Sequence, residues 1–259
     1  MSPNQAGELP PFRRTTQDLL PAVKPQPPEG GYDLYPAYPL PAGSIETGWE
    51  AFARALPEKG VVALDGMPGV LWTAAQGALS AALMARGLAV EWLDVSAALR
   101  DPDEIEALAA PHLGGDDPIF GFVYDGEVSA FFQPERLEAL RREARKQAGR
   151  AVVVVSGPGA ALIEPDALAF LEVPKNEIQF RARAAVPTNL GVNHALEPKP
   201  AYKRSYFLDW PALRRHIEAI APKLDWIVDA QRPLEPTWMS GEALRAGLAG
   251  MSASWSRAR

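Results

Sequence analysis

Along most of this chain, short apolar bursts alternate with longer stretches in which apolar residues recur every three or four positions. The plainest burst is Val152–Val155 in "RAVVVVSGPGAA", where four valines in a row suit a strand covered on both faces. "VVALDG" (61–66) and "LAVEWLDVS" (88–96) read as two more strands. Around them the spacing is helical. "SIETGWEAFARALPEKG" puts Trp49, Phe52 and Leu56 on one face, with Ser44 as N-cap and Gly60 after the end. "TAAQGALSAALMARG" carries a stripe of Ala75, Leu79, Ala82 and Leu83 and stops at Gly87. An acid-rich helix follows near Asp101–Ala110. "PERLEALRREARKQAG" then has Pro134 in its first turn, Leu137, Leu140 and Ala144 inward, and Gly149 closing it. Strands and helices alternating at this spacing predict an α/β fold with a mainly parallel sheet and helices on both faces.

The pattern loosens at both ends. Residues 1–43 hold ten of the 26 prolines and read as an extended arm or linker, leaving 44–259 as the folded domain. Tyr32, Tyr35 and Tyr38 recur every third residue, which on a three-per-turn helix lines them up to pin the arm to the domain or to meet a partner. In the middle, "GGDDPIFGFVYDGEVSAFF" suggests two strands around a hairpin turn at Asp125-Gly126. "NEIQFRARA" alternates Ile178, Phe180 and Ala182 with charged neighbours, as a half-buried strand would. "RSYFLDWPALRRHIEAIAPKLDWIVDA" predicts a strand, a helix capped by Asp209 with Pro211 in its first turn, and a strand at Trp226–Val228. Ser240 opens the last helix.

Composition narrows the function. A net charge of −6 argues against a general nucleic-acid binder. The absence of cysteine removes disulfides and thiol chemistry and fits a cytoplasmic setting, and three histidines make a multi-histidine metal site improbable. No run approaches the length of a membrane span, and the first residues lack a signal-peptide apolar core.

Candidate chemistry gathers in loops. "LDGMPGVLWT" joins a strand to a helix through a glycine-bearing turn, a place where backbone N–H groups and the helix N-terminus can hold phosphate. Gly66, Gly69 and Val70 would face that phosphate, with Thr73 as a loose candidate for a Mg²⁺-bound hydroxyl. The full G-x-x-x-x-G-K-[ST] pattern is not met, because the glycines are too close and no lysine follows. An ordinary connecting turn therefore stands beside the phosphate cradle as a reading. Asp94, ending "VEWLD", is placed either to serve Mg²⁺ or a substrate hydroxyl, or simply to cap a helix. Asp116, in "GGDDP", offers the same chemistry or turn chemistry. Between Val173 and Arg204 the chain carries Lys175, Arg181, Arg183, Lys199, Lys203 and Arg204 against Glu177 and Glu197, a local charge of +4 in an acidic chain. Arginine forks match phosphate oxygens bidentately, and a solvated charged face is the alternative. The Gly157/Gly159 turn and His216 read as structural.

Taken in order, "GGDDPIFG", "VPKNEIQFRARA", "TNLG", "YKRSYFLDWPALRRH" and "VDAQRP" resemble the N-terminal half of long bacterial class I mannose-6-phosphate isomerases, from about Tyr32 onward. In that family a P-loop-kinase-like region precedes a cupin. The resemblance implies a three-layer P-loop-kinase-like fold, a sugar phosphate or nucleotide (with Mg²⁺) as ligand, and a cupin-type isomerase chain as partner. These 259 residues carry no cupin region, so no zinc ligand or isomerase residue is carried over. A catalytically silent interaction module and an active small-molecule kinase are the rival expectations.

Overall fold

The computed structural model describes residues 12–254. Its frame is a seven-stranded sheet made of β1 (Glu46–Thr47), β2 (Gly60–Gly66), β3 (Val90–Asp94), β4 (Val152–Ser156), β5 (Ala167–Glu172), β6 (Trp226–Asp229) and β7 (Thr237–Ser240). They lie in the order β1-β7-β6-β5-β2-β4-β3. β2 to β6 run parallel, and β7 then β1 extend one edge antiparallel. β2 sits between β4 and β5, and its residues from Val61 to Gly66 are all buried, as a strand covered on both faces requires.

The helices are α1 (Trp49–Ala55), α2 (Trp72–Ala85), α3 (Pro102–Ala109), α4 (Pro134–Gln147), α5 (Lys175–Arg183), α6 (Pro198–Arg204), α7 (Trp210–Ile220) and α8 (Gly241–Ala253). The chain moves outward from β2 to β3 through α2, then back and past β2 through α4 and α5–α7. Right-handed crossovers therefore put α2 on one face, where α1 packs against it, and α4 and α7 on the other. The result is a three-layer α/β architecture with a mainly parallel sheet. No helix among the described residues is long and apolar enough to cross a membrane.

Four local expectations are corrected. Residues 175–183 are helical, not a strand: Ile178, Arg181 and Ala182 are buried at helical spacing, and Glu177 and Arg181 share one face a turn apart. The alternation of Ile178, Phe180 and Ala182 was too short to separate the two periods. Asp125-Gly126 makes no hairpin. Tyr124 N–H donates to Phe207 O and Phe122 N–H to His112 O, and the bonds within the stretch are local turns rather than a strand ladder. Gly126 is required for another reason, because a Cβ there would lie 2.2 Å from the Tyr124 hydroxyl. "RSYFLDW" is a π-helical turn, Ser205–Asp209, fusing α6 to α7, so Asp209 does not cap. The first helix starts at Trp49 with Gly48 as N-cap, not at Ser44, since Glu46–Thr47 pair with Thr237–Trp238.

The arm from Phe12 to Gly43 contains no helix or strand. It is tied down by Arg13, whose guanidinium bonds both oxygens of Glu177 at 3.0–3.2 Å, and by Arg14 N–H on Phe180 O. Tyr38 packs on α8, its hydroxyl lying beside Gly250, whereas Tyr32 is 88% exposed. The tail from Trp238 to Trp255 is a second place where a partner chain could dock, and Trp255 lies outside the described residues.

Candidate functional site

Parallel strands aim their C-terminal ends at one edge of a sheet, and the loops leaving β2, β4 and β3 meet there. Between those loops and the segment 187–196 lies a crevice of about 830 Å³. Among the residues expected to carry chemistry, Gly69, Val70, Asp94 and Arg204 line it, and Gly157 joins them from the turn after β4. Arg100, Arg136 and Asn189 also line it and carried no sequence signal of their own.

In the first turn three of the amides expected to face a phosphate are engaged within the protein. Gly66 N–H donates to Asp65 Oδ1 at 2.7 Å, Met67 N–H to Leu171 O at 3.0 Å and Val70 N–H to Met67 O at 3.3 Å, while Pro68 has no N–H to give. These bonds are those of an ordinary connecting turn. Gly66 is needed there because a Cβ would meet Leu171 O at 2.7 Å. Gly69, at φ +90, takes the left-handed conformation that closes the bend.

Asp65, at the end of β2, is what organises these turns. It is fully buried, and its oxygens accept from the backbone N–H of Gly66, Gly159 and Ala161 and lie 2.7 Å from His216 Nε2 on α7. One carboxylate therefore fastens two glycine turns and a helix together. His216 is structural, as its place beside apolar positions suggested. A carboxylate inside the run "VVALDG" was the available signal, since a buried charge needs several partners.

Arg181 does reach the first bend, but as a brace. It is fully buried on α5, with Nη1 donating to Gly69 O at 2.7 Å and Nη2 to Ala230 O and Gln231 O at 3.0 and 3.1 Å. Glu177 lies 3.6 Å from its Nε, and the Phe12 ring covers the guanidinium. Both of its Nη groups are spent on carbonyls, while its buried Nε has no hydrogen-bond partner among the described residues.

Arg204 is different. Its side chain is 3% exposed, Nη1 bonds Glu106 Oε1 at 3.0 Å, and Nε and Nη2 are buried with no partner among the described residues. Behind it Asp209 is fully buried and pushed up to about 6, chiefly by burial, with Arg204 and the Asn189 amide (2.7 Å) pulling the other way. Arg100 and Arg136 already bond Ala130 O and Glu104, and Leu99 O and Asp101, respectively.

The other expected residues fall elsewhere. Thr73 is exposed on α2 and does not line the crevice, and Asp116 sits exposed on its loop. Lys175 lies over the Trp210 ring at 4.9 Å. Arg183, exposed at the end of α5, and Lys203, held by the Asp117 carbonyl, line a second hollow on the far side of α6. The single cationic face expected from this segment is divided, because α5 and α6 are helices that point successive residues in different directions.

Around the first turn Asp65 has its oxygens engaged, Asp94 Oδ1 accepts Ser96 N–H at 2.8 Å as a cap, and Thr73 does not line the crevice.

The chain belongs to a family described as "Domain of unknown function (DUF8485)", whose model matches residues 48–253. No curated protein sequence matches it. Among solved structures it is similar to a "putative fructose transport system kinase" from Silicibacter sp. TM1040, at 21% identity, covering 66% of this chain and 94% of that one with a TM-score of 0.42.

Proposed function

We propose that this DUF8485 domain binds a phosphorylated sugar of the mannose 6-phosphate class in the crevice, as a catalytically silent module that partners a cupin-type isomerase. The observation that carries the reading is Arg204, a cation 3% exposed that lines a cavity of about 830 Å³ and pairs with Glu106 at 3.0 Å. Its Nε and Nη2 are enclosed without an acceptor among the described residues, which costs about 1–3 kcal/mol per donor, and a shift of the guanidinium toward the cavity would give that capacity to a phosphate oxygen. The sugar would lie along the segment 187–196, where Asn193 and His194 supply polar contacts. The isomerase association rests on the sequence resemblance. Phosphoryl transfer is disfavoured, since the turn that would hold a nucleotide's phosphates has neither a lysine nor the amides of Gly66, Met67 and Val70 to offer.

Calorimetry with mannose 6-phosphate, mannose and inorganic phosphate tests this on the wild type, Arg204→Lys and Glu106→Gln. Mannose 6-phosphate should bind and mannose should not. Loss of the bidentate fork in Arg204→Lys should weaken binding by about 10- to 100-fold. Glu106 is 62% exposed, so Glu106→Gln should leave the fold intact, remove a competitor for Arg204 and tighten binding. Absence of phosphate-dependent binding, or an affinity that neither variant moves, sinks the reading.

A further inference from the structure

The second hollow faces away from the crevice across α6. It has a volume of about 1000 Å³ and lies between α5, α6 and the loop 118–123. One wall is aromatic. Tyr202, Tyr206 and Trp210 stand in mutual contact with ring centroids 5.8–6.5 Å apart, and Phe207 adjoins Tyr206 at 5.0 Å. The opposite wall is Ile119, Phe120 and Val123, between 60% and 69% exposed. Arg183, Lys199 and Lys203 complete the lining, and no carboxylate is among the residues that line it. In a chain of net charge −6, a concave surface with three cations and no acid is a selective arrangement.

Two properties of these walls define the occupant. Tyr202 and Tyr206 keep 44% and 51% of their surface exposed, so part of each ring is open to contact with a planar ligand. Lys199 and Arg183 at the rim suit a phosphate, which takes charge from lysine and a fork from arginine, with Lys203 fixed beside them by the Asp117 carbonyl. The volume lies at the upper end of small-ligand sites, which run to about 1,000 Å³. A flat aromatic group joined to an anionic one meets all three conditions. We infer that this hollow is a second ligand site, for a free nucleoside monophosphate or diphosphate. The base lies between the Tyr202–Tyr206 wall and the Ile119–Phe120 loop, and the phosphate lies on Lys199, Lys203 and Arg183. This assignment is independent of the sugar-phosphate reading, because Arg204 does not line the hollow. The two sites are neighbours all the same: Pro200 and Arg204 of α6 face the crevice, while Lys199, Tyr202 and Lys203 face the hollow.

The probes are AMP, adenosine, ribose 5-phosphate and a short oligoadenylate, titrated calorimetrically against wild type, Tyr206→Ala, Lys199→Glu and Arg204→Lys. Tyr206 and Lys199 are exposed, so both substitutions spare the fold. Stacking on an aromatic ring contributes about 1–3 kcal/mol per base, so Tyr206→Ala should weaken AMP by about 5- to 100-fold. Lys199→Glu should weaken AMP and leave adenosine unmoved. Arg204→Lys should leave AMP unchanged. Ribose 5-phosphate, which lacks the base, should bind at least tenfold more weakly than AMP. No saturable AMP binding at millimolar concentration overturns the assignment, as does AMP affinity unaltered in both Tyr206→Ala and Lys199→Glu. Tighter binding of oligoadenylate than of AMP would assign the surface to a nucleic-acid strand and overturn it equally.

Discussion

Arg181 Nη1 donates to the carbonyl oxygen of Gly69 at 2.7 Å, across the bend that joins β2 to α2. The arginine that charge counting directs toward a phosphate is at the right bend, but holds its carbonyl side. Its Nη2 ties in Ala230 and Gln231, and Glu177 links it to Arg13 in the arm. Arg181 thereby joins the first turn, the end of β6 and the N-terminal arm. Removing one member of a buried charged set costs about 3–5 kcal/mol, because the remaining charge is left unpaired. Arg181→Ala is expected to lose stability in that range by urea unfolding. A loss no larger than that of an exposed control such as Arg214→Ala would disprove its bracing role.

Asp65 should be the most sensitive carboxylate in the domain. Replacement by Asn substitutes an N–H₂ donor for one acceptor oxygen, against backbone N–H groups from two turns and His216. Each mismatched buried donor costs about 1–3 kcal/mol, so Asp65→Asn is expected to destabilise by more than His216→Ala. In a double-mutant cycle the two changes should couple, since residues in one network commonly show interaction energies of about 0.5–3 kcal/mol. Additive effects would show that the 2.7 Å contact contributes nothing of its own.

The pH dependence follows from Glu172 and Asp209. Burial, then repulsion from Asp229, pushes Glu172 up to about 7, with Lys175 opposing, and burial pushes Asp209 up to about 6. Both folded values lie above the unfolded ones. Their stabilising contribution is therefore complete below the ordinary carboxylate range and is lost as pH rises through about 6 and then about 7. Glu172→Gln, neutral at every pH, should match the wild type in acid and exceed it on the alkaline side by roughly 1–3 kcal/mol. Denaturant unfolding on either side of neutrality measures this, and a pH-independent difference would contradict it.

Two glycines separate close approach from mere permissiveness. Gly66→Ala would push a Cβ to 2.7 Å from Leu171 O and should destabilise by about 1–3 kcal/mol. Gly77 lies inside α2 with nothing within 4 Å of where its Cβ would be, so Gly77→Ala should stabilise by about 0.4–1 kcal/mol. Thermal melts of the pair should therefore shift in opposite directions.

How far the sequence reaches can be traced residue by residue. Val152–Val155, the stripe Ala75–Leu79–Ala82–Leu83 and the stop at Gly87 are local patterns, and they fix β4, α2 and the parallel alternation directly. The sequence determined this much because a strand's burial and a helix's stripe depend on neighbours within one or two turns. Ile178–Phe180–Ala182 and Asp125-Gly126 misled for the same reason, since each local signal was consistent with two structures and only the surrounding sheet and helices chose. The partners of charges were likewise a tertiary decision. Nothing in the order of residues distinguishes Arg181, whose two Nη groups are taken by Gly69, Ala230 and Gln231, from Arg204, whose Nη2 has no acceptor. Hydrogen-bond satisfaction is set by groups more than a hundred residues away, as between Asp65 and His216, and it becomes readable only when the chain has folded.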